Sequence, residues 1–89
     1  MLDERFFREE LPRLIQEYQQ QHGGETCETE VLLQHGISFR PVGPIEVGPA
    51  YIRFEYEVRG TRRQAVVPLD AILAVSLGPE EKKAKPGLV

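Results

Sequence analysis

The spacing of apolar residues changes period once along this chain. From Leu2 to about Gln21, the positions Leu2, Phe6, Leu11, Leu14, Ile15 and Tyr18 recur three to five residues apart, with Glu, Arg and Gln between them. That spacing predicts an amphipathic helix. Asp3 is placed to cap its start, and Gly23-Gly24 to stop it. Pro12 interrupts the pattern, because proline lacks an N–H and its ring clashes with the carbonyl four residues back. The expectation is a main helix from about Pro12 to His22, preceded by a shorter helical turn. Phe6 and Phe7 are adjacent, so either one faces the domain and the other a partner, or both belong to the core.

From Glu28 the period becomes two. Val31 and Leu33 alternate with Glu30 and Gln34, and Gly36 marks a turn. Ile37 and Phe39 open a second strand, which the prolines at 41, 44 and 49 interrupt or confine to an edge. Tyr51 to Val58 is the cleanest strand, with Ile52, Phe54, Tyr56 and Val58 on one face and Arg53, Glu55 and Glu57 on the other. Arg59-Gly60-Thr61-Arg62 reads as a hairpin turn, Gln64 to Val67 as the return strand, Leu69 to Ile72 as one tight turn and Leu73 to Leu77 as a last short strand. No helices separate the strands, which excludes a parallel α/β sheet. The predicted fold is mostly β with an N-terminal α-helix: a small open barrel of about five short antiparallel strands. It spans residues 1–78 as a single domain. Residues 79–89, charged and containing Pro and Gly, read as a disordered tail.

Size then limits the core. A chain of 89 residues buries only about 60% of its unfolded surface, and domains this small gain from a disulfide, a metal or a partner subunit. One cysteine, Cys27, excludes an internal disulfide and a Cys-rich zinc site. Oligomerisation remains, and a homodimer is expected. The charged start and the lone cysteine fit a cytoplasmic protein, and no apolar run reaches the roughly 20 residues of a membrane span. A net charge of −3 disfavours a general nucleic-acid binder.

Candidate chemistry is sparse. Cys27 has His22 and His35 nearby in sequence, but no Asn or Asp is placed to orient either imidazole, and the chain has no Asn. The adjacent and alternating glutamates (Glu9 and Glu10, Glu55 and Glu57, Glu80 and Glu81) fall on solvated faces or in the tail. No Gly-rich loop precedes a helix to cradle phosphate. No catalytic residue, metal or cofactor is assigned, and the expectation is a binding protein rather than an enzyme. The charge worth following is Arg59, Arg62 and Arg63 at the hairpin, with Arg53 and Arg40 near in sequence. Such a group grips an acidic peptide or a phosphate, or it simply keeps a strand edge from pairing with other chains.

The stretch Tyr51-Ile-Arg-Phe-Glu-Tyr-Glu-Val-Arg-Gly-Thr-Arg-Arg-Gln-Ala-Val-Val-Pro-Leu-Asp-Ala-Ile-Leu-Ala-Val75 resembles the C-terminal half of the SspB stringent starvation family. The matching residues are Arg53, Phe54, Gly60, Arg63, Gln64, Val67, Pro68, Leu69, Ala71, Leu73 and Ala74. Upstream, Arg40-Pro-Val42-Gly43-Pro-Ile-Glu-Val47 fits without a gap, so the resemblance covers about half the chain, from Leu33 to Val75. It implies an Sm-like fold and a dimer formed through the first helix, with Phe6, Phe7, Leu14 and Tyr18 as candidate interface residues. It also implies a non-enzymatic adaptor that binds peptide tags and hands tagged proteins to an AAA+ unfoldase. Arg53, Arg59, Arg62 and Arg63 are then the candidate ligand-binding residues, and Leu88 and Val89 the end of the partner tether. The segment before the first matched strand is shorter than in that family, and Val75-Ser76-Leu77-Gly78 departs from its aromatic and charged continuation.

Val31-Leu-Leu-Gln-His-Gly36-Ile-Ser-Phe and Ala65-Val-Val-Pro-Leu-Asp-Ala-Ile72 resemble, less closely, motifs of the Sm-like RNA chaperones of the Hfq type. Their Lys-His pair would fall near Leu69-Asp70, and their strand-bending glycine at Pro41. An acidic residue at that position is a poor RNA ligand, so RNA is the less favoured partner.

Overall fold

The computed structural model describes residues 2–80. The helix begins where its cap was expected: the Asp3 carboxylate accepts a hydrogen bond from the Phe6 N–H at 2.9 Å. It then runs unbroken over residues 4–21, with no restart at Pro12. A π-helical turn, Phe6–Glu10, directly precedes the regular helix α1, Leu11–Gln21, and the Leu11 N–H bonds the carbonyl of Phe6, five residues back. The wider turn relieves the crowding that a proline ring imposes on the preceding turn, so Pro12 is carried without a break. At the far end Gly23 and Gly24 both have positive φ, and the Gly24 N–H donates to the Gln19 carbonyl at 2.7 Å. That is the Schellman closure, and it explains why two glycines follow the helix.

Six strands follow: β1 Cys27–Leu33, β2 Ser38–Phe39, β3 Val42–Val47, β4 Tyr51–Val58, β5 Thr61–Pro68 and β6 Ile72–Pro79. They form two antiparallel three-stranded sheets, ordered β2-β1-β6 and β3-β4-β5. No barrel closes among the described residues. The expected second strand is split in two because the chain leaves the first sheet at Arg40-Pro41 and enters the second at Val42. Within β3, the pairing with β4 shifts between Val42 and Glu46, and Gly43 there has φ +81. Gly43-Pro44 is thus a bulge on an edge strand, where proline can be tolerated. A short 3-10 turn, Leu69–Ala71, returns the chain to the first sheet, and the Leu69 N–H bonds the Ala50 carbonyl at 3.0 Å.

The core lies between the sheets and under the helix. Ile52 and Phe54 of β4, Ala65 and Val67 of β5, Val31 of β1, Ile72 of β6 and Leu69 meet Phe7 and Leu11 from the helix. The two faces of β4 are as the alternation predicts, with Ile52 and Phe54 buried and Glu55 and Glu57 outward. The ladder of β6 against β1 extends to Cys27↔Pro79, one residue past the expected domain end at 78. The expected tail lies outside the described residues from 81 onward, and with it the tether residues Leu88 and Val89. No helix among the described residues is long and apolar enough to cross a membrane.

The β4–β5 turn is two residues long, not four. Arg59 (φ 53) and Gly60 (φ 79) join Val58 to Thr61, the type I′ geometry that matches the twist of a hairpin. An arginine at positive φ is strained where asparagine is tolerated. Arg59→Asn should therefore stabilise the fold by up to about 1 kcal/mol, read as a rise in the urea midpoint.

Candidate functional site

The four candidate ligand-binding arginines do not converge. Alternation along the hairpin places Arg53 and Arg62 on the outer face of the β3-β4-β5 sheet and Arg63 on the opposite face, across the ladder from Tyr56. Arg59 sits in the turn. On the outer face, Arg53 donates to Glu46 on β3, and Arg62 reaches Glu55 at 3.3 Å and Glu57 at 3.2 Å. Hydrogen bonds to Glu46 and to Glu57 raise the pKa of Arg53 and Arg62 respectively above the ordinary arginine value. Their charge is answered locally by carboxylates. Arg40 lies elsewhere, 3.6 Å from Glu28 and 3.9 Å from Glu30 of β1. Because the outer-face pairs are exposed, Arg62→Ala should leave the urea midpoint close to that of the parent.

The candidate dimer residues also divide. Phe7 fills the chain's own core and meets Phe6 edge-on, with ring centroids 5.1 Å apart. The little of it that stays exposed, 3%, lines the groove described below. Phe6, Leu14 and Tyr18 are half-buried, and the Tyr18 ring stacks on His22 at 4.0 Å.

What the structure does assemble is a groove of about 650 Å³ at the place where the two sheets part. Phe7, Leu11 and Ile15 of the helix form one side, Cys27 to Thr29 of β1 another, and Val42 to Ile45 of β3 the third. Local sequence explains each side. Pro41 and the Gly43-Pro44 bulge hold β3 away from β1, while β2, only two residues long, pairs with β1 at Val31 and Leu32 alone. β2 therefore does not cover Cys27 to Glu30 on that side. β4, by contrast, is paired with β3 on one side and with β5 along its whole length on the other. Only Tyr56 to Val58 extend past its pairing with β3.

Cys27 lines the groove but is poorly suited to attack. Burial raises its thiol pKa above the ordinary value, and a hydrogen bond from the Gly78 backbone only partly opposes this. The thiol stays protonated at neutral pH. Cys27 should react with iodoacetamide at pH 7 more slowly than free cysteine does, followed by mass spectrometry. Among the described residues, no three of His, Cys, Asp or Glu gather as a metal set.

Sequence reasoning missed the groove. The signal for it was present in Pro41-Val42-Gly43-Pro44, a run that spoils a regular strand. Comparison of the chain with protein-family models, with curated proteins and with solved structures gives no match.

Proposed function

We propose that this protein is a non-enzymatic binding module that captures an extended peptide segment in the groove between the helix, β1 and β3. One observation carries the proposal: an apolar groove of about 650 Å³ in an 89-residue chain, bordered by a stretch of β1 that β2 does not cover. An unpaired edge beside apolar pockets is the arrangement by which proteins take up extended peptides, with backbone hydrogen bonds giving affinity and side-chain pockets giving selectivity. The likeness of residues 33–75 to SspB-type adaptors supports the same reading. It extends it to a cytoplasmic homodimer that delivers tagged substrates to an AAA+ protease. The strand order, read as one strand bent at Arg40-Pro41 within β6-β1-β2 and β3-β4-β5, supports an opened Sm-like arrangement.

The test is hydrogen–deuterium exchange with a peptide selected by display against the whole chain. Protection at residues 27–30 and 42–45 is the expected result. Protection confined to residues 59–63 would remove the groove from the binding role.

The same strand order favours a second reading, an Sm-like RNA-associated oligomer. Arg59 and Arg63 have no ion-pair partner among the described residues. Light scattering with and without short RNA separates the two: a dimer indifferent to RNA supports the adaptor, and a ring that takes up RNA supports the alternative.

A further inference from the structure

Each sheet ends in two outer strands, and three of these four edges are blunted. β2 is two residues long. β3 carries the Gly43-Pro44 bulge. β5 carries Arg62, Arg63 and Pro68. Short length, bulges, prolines and charges all keep an edge from taking up a further strand. β6 is different: it has no ionisable side chain, and its proline, Pro79, is its last residue. Its register shift is confined to its start, where Leu73 is passed over in the ladder. Among the described residues, β6 pairs with β1 alone.

The ladder shows which backbone groups of β6 face outward. The Leu33 N–H bonds the Ile37 carbonyl at 2.8 Å, on the β2 side of β1. Alternate residues of an antiparallel strand bond to opposite sides. Leu32, Glu30 and Glu28 therefore turn their backbone groups to β6, where they stand opposite Ala74, Ser76 and Gly78. Those three residues of β6 are engaged with β1, and Val75 and Leu77 between them present N–H and C=O to the outer side.

The sequence of this edge suits one occupant. Leu73-Ala74-Val75-Ser76-Leu77 reads nearly the same in both directions. Laid antiparallel to itself about Val75, it sets Leu73 against Leu77, Ala74 against Ser76 and Val75 against Val75. A two-fold axis demands that match, because the same patch stands on both sides of it; a ligand strand makes no such demand. The absence of charge also means that no like charges meet across the axis. Leu73, 62% exposed, lies within the run. We infer that a second copy of this chain adds its β6 antiparallel to this β6 about Val75, joining two three-stranded sheets into one of six. The interface differs from the helix that the SspB resemblance implied. No residue of β6 lines the groove, so the inference stands apart from the groove reading.

The experiment is light scattering on the whole chain over a dilution series up to millimolar concentration. One pair of strands buries less than the roughly 1,600 Å² of a standard interface, so the mass should pass reversibly between one and two chains. Ser76→Lys alters an exposed position and sets two lysines diagonally across the axis, about 7–8 Å apart. It should weaken the dimer at least tenfold, with part of the loss recovered in about 0.5 M salt as the like charges are screened. Leu14→Lys on the helix should leave the dimer unchanged. Val75→Cys, made with Cys27→Ser, reads the register. Opposite residues of a hydrogen-bonded pair stand about 5.5 Å apart at Cα, within disulfide reach, so mild oxidation should yield a covalent dimer.

A monomer at every concentration overturns the inference. So does a dimer that survives Ser76→Lys but is lost in Leu14→Lys, since it forms through the helix. A mass above two chains overturns it in favour of a head-to-tail assembly. A dimer weakened by Ser76→Lys that gives no cross-link at position 75 overturns the register about Val75.

Discussion

Phe54→Ala should cost about 3–5 kcal/mol of folding stability. Phe54 is 2% exposed in the middle of β4, opposite Ala65 in the ladder. Its ring meets that of Phe39 at 5.8 Å in an edge-to-face arrangement. Phe39 belongs to β2, so this pair joins one sheet to the other. Removing the ring leaves a cavity whose walls are backbone-paired strands, and these collapse poorly. Whole domains are stable by only about 5–15 kcal/mol, and a chain this short has few buried side chains to compensate. An equilibrium urea titration should show the midpoint falling steeply, with the slope little changed. Val66→Ala provides the contrast, since Val66 is 59% exposed on the outer face of β5 and its loss should stay within about 0.5 kcal/mol. Similar midpoints for the two variants would mean that the sheets do not pack through Phe54.

Phe7→Ala should cost a comparable 3–5 kcal/mol and should also remove the binding groove. Phe7 and Leu11 are the buried residues of the helix, and both line the groove. Phe7 and Leu11 are four residues apart and so share one face of the helix. Without the Phe7 ring the helix keeps its caps and its exposed ion pairs, such as Arg8 with Glu4 at 2.7 Å. Exposed pairs of this kind contribute under about 1 kcal/mol each, too little to hold the helix on the sheets. The Arg8 guanidinium also donates to the Val47 carbonyl at 2.6 Å, a single exposed tie that does not replace a buried ring. Circular dichroism at 222 nm should lose helical signal at temperatures where the strands persist. A variant with unchanged helical signal and thermal midpoint would place the anchor of the helix elsewhere.

Much of the fold was legible because it rests on local rules. Asp3 and Gly23-Gly24 bracket the helix as their capping chemistry requires. The alternation from Tyr51 to Val58 marked the buried face of β4. The hairpin was found from Arg59-Gly60, although its true length was two residues. Pro12 was read with the right physics and the wrong outcome. Its steric conflict is real, but a π-helical turn resolves it within one continuous helix, and a window of sequence does not distinguish that solution from a break.

The candidate site was far less legible. Arg53, Arg59, Arg62 and Arg63 are close in sequence, yet the period-two geometry of a strand sends neighbours to opposite faces, and Arg62 and Arg63 part for that reason. Arg53 and Arg62 find glutamates on the same face of the sheet, and the Arg53 partner lies on a different strand. The groove joins residues of the helix, β1 and β3 that are far apart along the chain. What the sequence determined by itself was the change from helix to strands, the ends of the helix and the inward faces of β1 and β4, because period, caps and turns act over a few residues. Tertiary structure decided that the second strand divides between two sheets, that Phe7 rather than Phe6 enters the core, and that an apolar opening remains between β1 and β3. Those outcomes depend on distant segments competing for the same space, a competition that no local pattern records.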